Sequence, residues 1–230
     1  MKSLSVINFN NQQFQLDLST EADISVAAEI FKYREYRIAD EVIKNAEVIL
    51  DVGAHKGFFA AYCTALSPKA KIFCVEPESK NLIALKNNKK INKLKNVTII
   101  EGALSDRTGD GNLAVTADSH NHYLTSVVDQ KLAVQKIKTY SFSDLIKEYK
   151  IKLVSLLKMD IEGGEYAVFE GLSAEYFAQI KNIVMEYHNF IDKNYKKIEK
   201  QLRENGFGVQ VFPSKFDKTM GFIFANNKRV

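Results

Sequence analysis

The sequence predicts an α/β fold with a mostly parallel sheet of about seven strands, helices on both faces and a small N-terminal cap. Three observations carry that expectation. From residue 47 onward short apolar runs alternate with longer amphipathic ones, several of the short runs end in an acid, and one leads through a glycine-bracketed turn into a helix. Parallel strands covered on both faces read as near-continuous apolar runs, as VILDV and KIFCVE do here.

Residues 4–18, LSVINFNNQQFQLDL, alternate apolar and polar positions and predict a β-hairpin whose turn residues, Asn10 and Asn11, tolerate positive φ. Residues 23–45 read as helical: Ile24, Ala27, Ala28, Phe31, Ile38 and Val42 keep a rough 3.6-residue period, with a break near residues 33–37. Hairpin and helices make up the expected cap, residues 1–46, ahead of a main domain at 47–230. There VILDV leads into FFAAYCTAL, KIFCVEP into SKNLIALKNNKKIN, and NVTIIEGAL into a polar stretch. VQKIKTYSF, SDLIKEYK, VSLLKMDIEGGEYAVFEGL, KNIVMEYH and YKKIEKQLRENGF follow. The last two strand candidates, GVQVF and GFIFAN, predict an antiparallel edge on the parallel sheet.

A chain of 230 residues with 46% hydrophobic and 26% charged residues suits one embellished globular domain. Its 32 basic and 28 acidic residues leave a formal charge of +4, too small an excess to imply a nucleic-acid partner. The densest basic run, KNNKKINKLK at 86–95, carries Ile91 and Leu94 at helical spacing, so its lysines read as the solvated face of a helix. Cys63 and Cys74 lie in apolar contexts and read as packing thiols, not a disulfide framework. With no apolar run of membrane length and no export signal, a cytoplasmic enzyme is expected.

The chemistry concentrates at strand ends. After Asp51, Gly53 and Gly57 bracket a tight turn and Ala54 keeps its floor low, so a ligand can lie against the backbone. The spacing G-A-x-x-G lacks the second glycine with which dinucleotide folds approach a pyrophosphate. KIFCVEP ends at Glu76 and Pro77, 25 positions beyond Asp51, where a carboxylate can accept both hydroxyls of a ribose. The third strand ends at Glu101, Gly102 and Ala103, a place for an adenine against main chain. LLKMDIEGGEY brings Asp160, Glu162 and Glu165 together around two glycines, and three carboxylates so close call for a cation: a sulfonium, Lys158, an arginine or a divalent metal. KNIVMEYH sends Glu186 and His188 to one side of its strand. His120 and His122 lie in a polar loop and resemble a metal pair only superficially.

In this order DVGAHKGFF, VEPESKNLIALKNN, ALSD, KTYSFSDL, LLKMDIEGGEYAVFEGL and IVMEYH resemble the FkbM family of S-adenosylmethionine-dependent methyltransferases, over roughly residues 30–189. The resemblance implies a class I, Rossmann-like fold and methyl transfer to an oxygen of a sugar, polyketide or related small molecule. It also implies positions: Asp51, Gly53 and Gly57 at the methionine part of the cofactor, Glu76 at the ribose, Ala103 at the adenine, and Asp160 where cofactor and acceptor meet. His55 and Lys56 depart from the asparagine and apolar residue often found there in the family.

A hydroxyl acceptor must lose its proton, and His188 or Asp160 is the expected base, with Glu162 and Glu165 orienting the acceptor or binding a cation. Amine methylation commonly goes with an Asn/Asp-Pro-Pro-aromatic run after the fourth strand, where this chain has MDIEGGEY. Chemistry at a base carbon needs a cysteine nucleophile, and both cysteines fall in the cofactor half. The competing readings are a nicotinamide-dependent oxidoreductase and a module that binds a cofactor or glycan without turnover. Acceptor contacts are expected from the cap and from the loop at 111–129.

Overall fold

The computed structural model describes residues 4–116, 123–124 and 133–230 of the chain. Strands β1 (Leu4–Phe9) and β2 (Gln12–Asp17) form the expected hairpin, with Asn10 and Asn11 both at positive φ in its two-residue turn. Helix α1 (Glu21–Ala27) starts at a capping box in which Thr20 and Asp23 exchange side-chain and backbone bonds. It runs into a π-type turn at Ala28–Tyr33, breaks at Arg34 with φ 55°, and continues as a 3-10 turn at Glu35–Ala39 and helix α2 (Asp40–Lys44). The break falls where the periodicity fails, and the expected face is buried in part: Ala27 is buried and Phe31 and Val42 pack against the core, but Ile24 and Ile38 are exposed. Ile30, Tyr36 and Ile43 are buried as well, the π-type turn and the left-handed Arg34 having rotated the later residues away from a single 3.6-residue phase.

The main body then alternates as expected: β3 (Val48–Val52), α3 (Phe58–Leu66), β4 (Lys71–Glu76), α4 (Ser79–Ile91) and β5 (Val97–Glu101). Helix α4 ends at Ile91, which is exposed, and Lys93 turns left-handed before buried Leu94, so the basic run spans a helix end. Strands β6 (Ala103–Ser105), β7 (Gly109–Val115), β8 (Tyr123–Leu124) and β9 (Ala133–Ser141) make a second, four-stranded sheet. Helix α5 (Phe142–Glu148), β10 (Leu156–Met159), the short helices α6 (Glu165–Gly171) and α7 (Ala174–Phe177), β11 (Asn182–His188), α8 (Tyr195–Glu204), β12 (Phe207–Pro213) and β13 (Met220–Asn227) complete the chain.

The large sheet has seven strands in the order β12-β13-β11-β10-β3-β4-β5. All its neighbours pair in parallel except β13, which is antiparallel to both β11 and β12. As expected, the terminal β12–β13 pair forms an antiparallel edge on the sheet; within it β12 is outermost, and the antiparallel C-terminal strand β13 sits one place in. Its Ile223 and Ala225 are fully buried, which an interior position requires, whereas β12 carries exposed Gln210 and ends at Pro213, both suited to an edge. Alternate strand residues feed two cores. Leu50, Val52, Leu157 and Met159 pack with α5, α6 and α8 on one face. Ile49, Ile72, Leu156 and Val184 pack on the other with α3 and with Phe14, Ile30, Tyr36 and Ile43 of the N-terminal segment. Among the described residues no helix is long and apolar enough to cross a membrane.

Candidate active site

The carboxyl ends of β3, β4 and β10 meet at one edge of the sheet. Gly53 and Ala54 donate their N–H groups to Val75 O (3.0 and 3.1 Å), and Asp160 donates its own to Val52 O (3.1 Å). Gly53 has φ 77°, and a Cβ there would stand 1.8 Å from the carbonyl oxygen of Asp160, so the turn admits only glycine. Gly57, with φ 82°, faces Leu85 in the same way. Close packing of the protein on itself accounts for both glycines. A cavity of about 710 Å³ opens above this edge, within the usual range for small-molecule sites.

Gly53, Ala54, Glu76, Pro77 and Ala103 line the cavity, joined by Leu104. Glu76 is buried with each carboxylate oxygen held by a backbone donor: His55 N–H reaches Oε2 at 2.8 Å and Glu78 N–H reaches Oε1 at 2.9 Å. Burial pushes its carboxyl up to about 7 against the pull of these bonds. The Asn81 side chain also hydrogen-bonds this carboxyl, and the acceptor capacity that remains fits ribose hydroxyls in the cavity that both residues line.

Asp51 and Gly57 stand behind this wall. Asp51 is fully buried, with Oδ1 3.4 Å from Lys158 Nζ across the β3–β10 pairing. Lys158 in turn donates to Gly53 O (2.9 Å) and lies 4.0 Å from Asp160 Oδ2. Burial alone would lower the lysine's affinity for its proton, but Asp51 and Asp160 on either side raise it. Lys158, one of the cations the acidic run calls for, thus stands beside Asp160. Glu101 does not reach the cavity: it is exposed on edge strand β5 and pairs with Lys86. Gly102 is buried against Lys138 O of β9 and does not line the cavity either.

On the far wall the β10–α6 turn places Asp160 and Glu162 in the cavity, Glu162 with φ 52°. Glu186 and His188 join them from β11, both on the cavity side as their alternation predicted. His188 is surrounded by acids: Nε2 lies 3.5 Å from Glu162 Oε2 and 3.7 Å from Glu186 Oε1, and Nδ1 lies 3.5 Å from Glu165 Oε1. Burial disfavours its charge, but Glu165, Glu162 and Glu186 outweigh it and push the imidazole up to about 9. Glu165 is fully buried beneath the cavity, where Oε1 also accepts from Ile161 N–H (3.2 Å). Of the two roles expected for it, orienting the acceptor or binding a cation, its place against the His188 imidazole matches the second. Among the described residues no group of His, Cys, Asp and Glu is arranged to hold a metal ion. His120 and His122 lie outside the described residues, as does most of the expected acceptor loop.

Two walls carried no recognisable motif. One comes from the N-terminal segment, where Glu29, Glu35 and Tyr36 line the cavity and Tyr36 packs on Phe59 and Phe222 (4.8 and 5.7 Å between centroids). The other is the β12–β13 hairpin, through Phe212, Phe216 and Phe222. The departures at His55 and Lys56 connect the first wall to the glycine turn. Lys56 Nζ lies 2.6 Å from Asp23 Oδ2 and 3.1 Å from Ser19 Oγ, and His55 Nε2 lies 3.7 Å from Asp23 Oδ1.

A sequence profile described as the methyltransferase FkbM domain matches residues 51–209. The chain belongs to the FkbM methyltransferase family. It is thus an S-adenosylmethionine-dependent methyltransferase, and the nicotinamide alternative falls away. Among this FkbM-family protein's relatives is the 31-O-demethyl-FK506 methyltransferase FkbM of Streptomyces tacrolimicus, 25% identical over 79% of this chain and 80% of the relative. The hexuronic acid methyltransferase AglP of Haloferax volcanii is 24% identical over 87% and 82%. A crystal structure of methyltransferase FkbM from Methylobacillus flagellatus superposes with a TM-score of 0.54 at 16% identity, over 78% of this chain and 43% of that one, and shows the shared fold. This chain thus spans under half the length of that solved relative.

Proposed function

We propose that this protein moves the methyl group of S-adenosylmethionine to a hydroxyl oxygen of a small acceptor, such as a sugar, a polyketide or a related molecule. The observation that carries the reading is the placement of Asp160, on the cavity wall between the glycine turn and the acids of β11, with its side chain 31% exposed. When bound, S-adenosylmethionine supplies a sulfonium methyl open to in-line attack. Gly53 and Ala54 take its methionine part, Glu76 the ribose hydroxyls, and Pro77, Ala103 and Leu104 the adenine. Asp51 acts indirectly, by holding Lys158 against the carbonyl of Gly53.

Asp160 accepts the acceptor's proton as its oxygen attacks, and Glu162 orients that hydroxyl. His188, held protonated at neutral pH by Glu165, Glu162 and Glu186, pairs with these acids and is not the base. The cap at residues 1–46 closes the acceptor side. The two buried free cysteines suit a reducing compartment, in keeping with a cytoplasmic enzyme. Relatives named for a hydroxyl of FK506 and for a hexuronic acid support an oxygen acceptor.

The test pairs binding with turnover. Calorimetry is expected to show S-adenosylhomocysteine binding and no NADH binding. Asp160→Asn is expected to lower kcat by roughly 100-fold or more, the scale of general-base catalysis, with S-adenosylhomocysteine still bound. An Asp160→Asn enzyme with undiminished kcat at saturating acceptor would remove the proposed base.

A further inference from the structure

The acceptor side of the cavity is short of positive charge. Among the described residues Glu29, Glu35, Asp160, Glu162 and Glu186 all line it. The lining bases are engaged elsewhere or few: Lys158 is held by Asp51 and Gly53 O, His55 faces Asp23, and His188 is shared among three glutamates, which leaves Lys215 on the β12–β13 hairpin. Crowded like charges show in the carboxyls themselves. Burial, with Asp160 and Glu162 nearby, pushes Glu186 up to about 9, and burial followed by Glu29 and Asp160 raises Glu35. The sulfonium of a bound donor answers the inner acids at the β10 and β11 ends. Glu29 and Glu35 belong to the N-terminal wall; Glu29 accepts from Ser25 Oγ (3.0 Å), but among the described residues neither carboxylate pairs with a cation.

The β12–β13 hairpin contributes the complementary feature. Phe212 and Phe216 line the same cavity, yet they are 43% and 101% exposed. Rings presented to water at the lip of a site form a platform for the flat apolar face of a cyclic ligand, and their faces also attract cations.

We propose that the acceptor is a hydroxylated ring carrying a protonated amine, with Glu29 and Glu35 pairing the ammonium and Phe212 and Phe216 covering the ring face. This rests on the oxygen-methylation reading above and adds the charge of the acceptor to it. An anionic acceptor would meet repulsion from Glu29 and Glu35 on the N-terminal wall, and discrimination of this kind arises as much from the mismatch as from the match.

The experiment measures initial rates of methyl transfer from labelled S-adenosylmethionine to matched sets of rings, each bearing an amine, a hydroxyl or a carboxylate at one carbon: hexosamine, hexose and hexuronate, and the corresponding cyclitols. The expected order in kcat/KM is amine, then hydroxyl, then carboxylate, with about tenfold or more between first and last, the scale of one or two partly screened charge contacts. In the Glu29→Gln/Glu35→Gln double variant, checked for folding by S-adenosylhomocysteine binding, the amine-to-carboxylate ratio is expected to collapse toward one. A carboxylate member that reacts as well as the amine, or a preference that survives the double substitution, overturns the charge assignment and leaves oxygen methylation standing. If methyl appears on nitrogen, or on none of the rings, the oxygen-methylation reading fails and this proposal with it.

Discussion

Glu76 and Lys158 show how single residues set the site's properties. Glu76 is raised to about 7 because its burial outweighs the hydrogen bonds from Glu78 N–H, His55 N–H and the Asn81 side chain. Two ribose hydroxyls would add donors to the ionised form, so nucleoside binding favours the carboxylate and releases a proton. S-adenosylhomocysteine affinity is therefore expected to rise as pH increases through 7 and to level off above it, and Glu76→Gln should flatten that profile while weakening binding. Titration calorimetry between pH 6 and 8 checks this; a wild-type affinity independent of pH would contradict it. Lys158→Met strands the buried carboxylate of Asp51. A loss of about 3 kcal/mol in urea denaturation is expected, with part of it recovered in Lys158→Met/Asp51→Leu. A single variant as stable as wild type would show that the pair holds nothing together.

Elements explain why parts of the site could be read from the chain and others could not. Asp51, Glu76 and Asp160 were legible because parallel strands announce themselves as apolar runs, and an acid ending such a run lies at the sheet's carboxyl edge. Glu101 has the same signature but sits on the edge strand, where nothing in the run reveals that its side chain faces solvent and Lys86. The sheet of β6 to β9 was hidden because GDGNLAV opens with turn-forming residues and becomes a strand only by pairing with β9. At the N-terminal wall, the π-type turn broke the periodicity on which a burial assignment depends.

The fastening of that wall leads to a test at the same scale. Burial would raise the carboxyl of Asp23, but hydrogen bonds from Lys56 and Thr20 bring it below its ordinary range. Lys56→Met leaves Asp23 inside without its cation. Stability is expected to fall by about 2–3 kcal/mol, with faster proteolysis between residues 20 and 45 and weaker S-adenosylhomocysteine binding. Unchanged proteolysis and affinity would mean that the pair does not couple the wall to the glycine turn.

At the scale of the whole molecule, the seven-stranded sheet brings three acid-bearing strand ends to one edge, and residues between 26 and 36 and the β12–β13 hairpin line the space above it. The proposed donor half draws on β3, β4 and β10, each legible as an apolar run ending near an acid, although their order in the sheet is set only by the fold. The proposed acceptor half draws on cavity-lining residues between 26 and 36 and on the β12–β13 hairpin, far apart in sequence and without a shared motif, so it emerges only in the folded chain. One position of the antiparallel strand matters here. Because β13 lies between β11 and β12, its start at Met220 stands beside His188 and puts the hairpin's aromatic rings over the cavity. The most direct measurement of the central claim is carbon NMR of the product formed from S-adenosylmethionine with a 13C-labelled methyl group and a panel of hydroxylated rings. The account predicts a methoxy resonance that disappears in Asp160→Asn; label found only on nitrogen or carbon, or a methoxy signal undiminished in that variant, would contradict it.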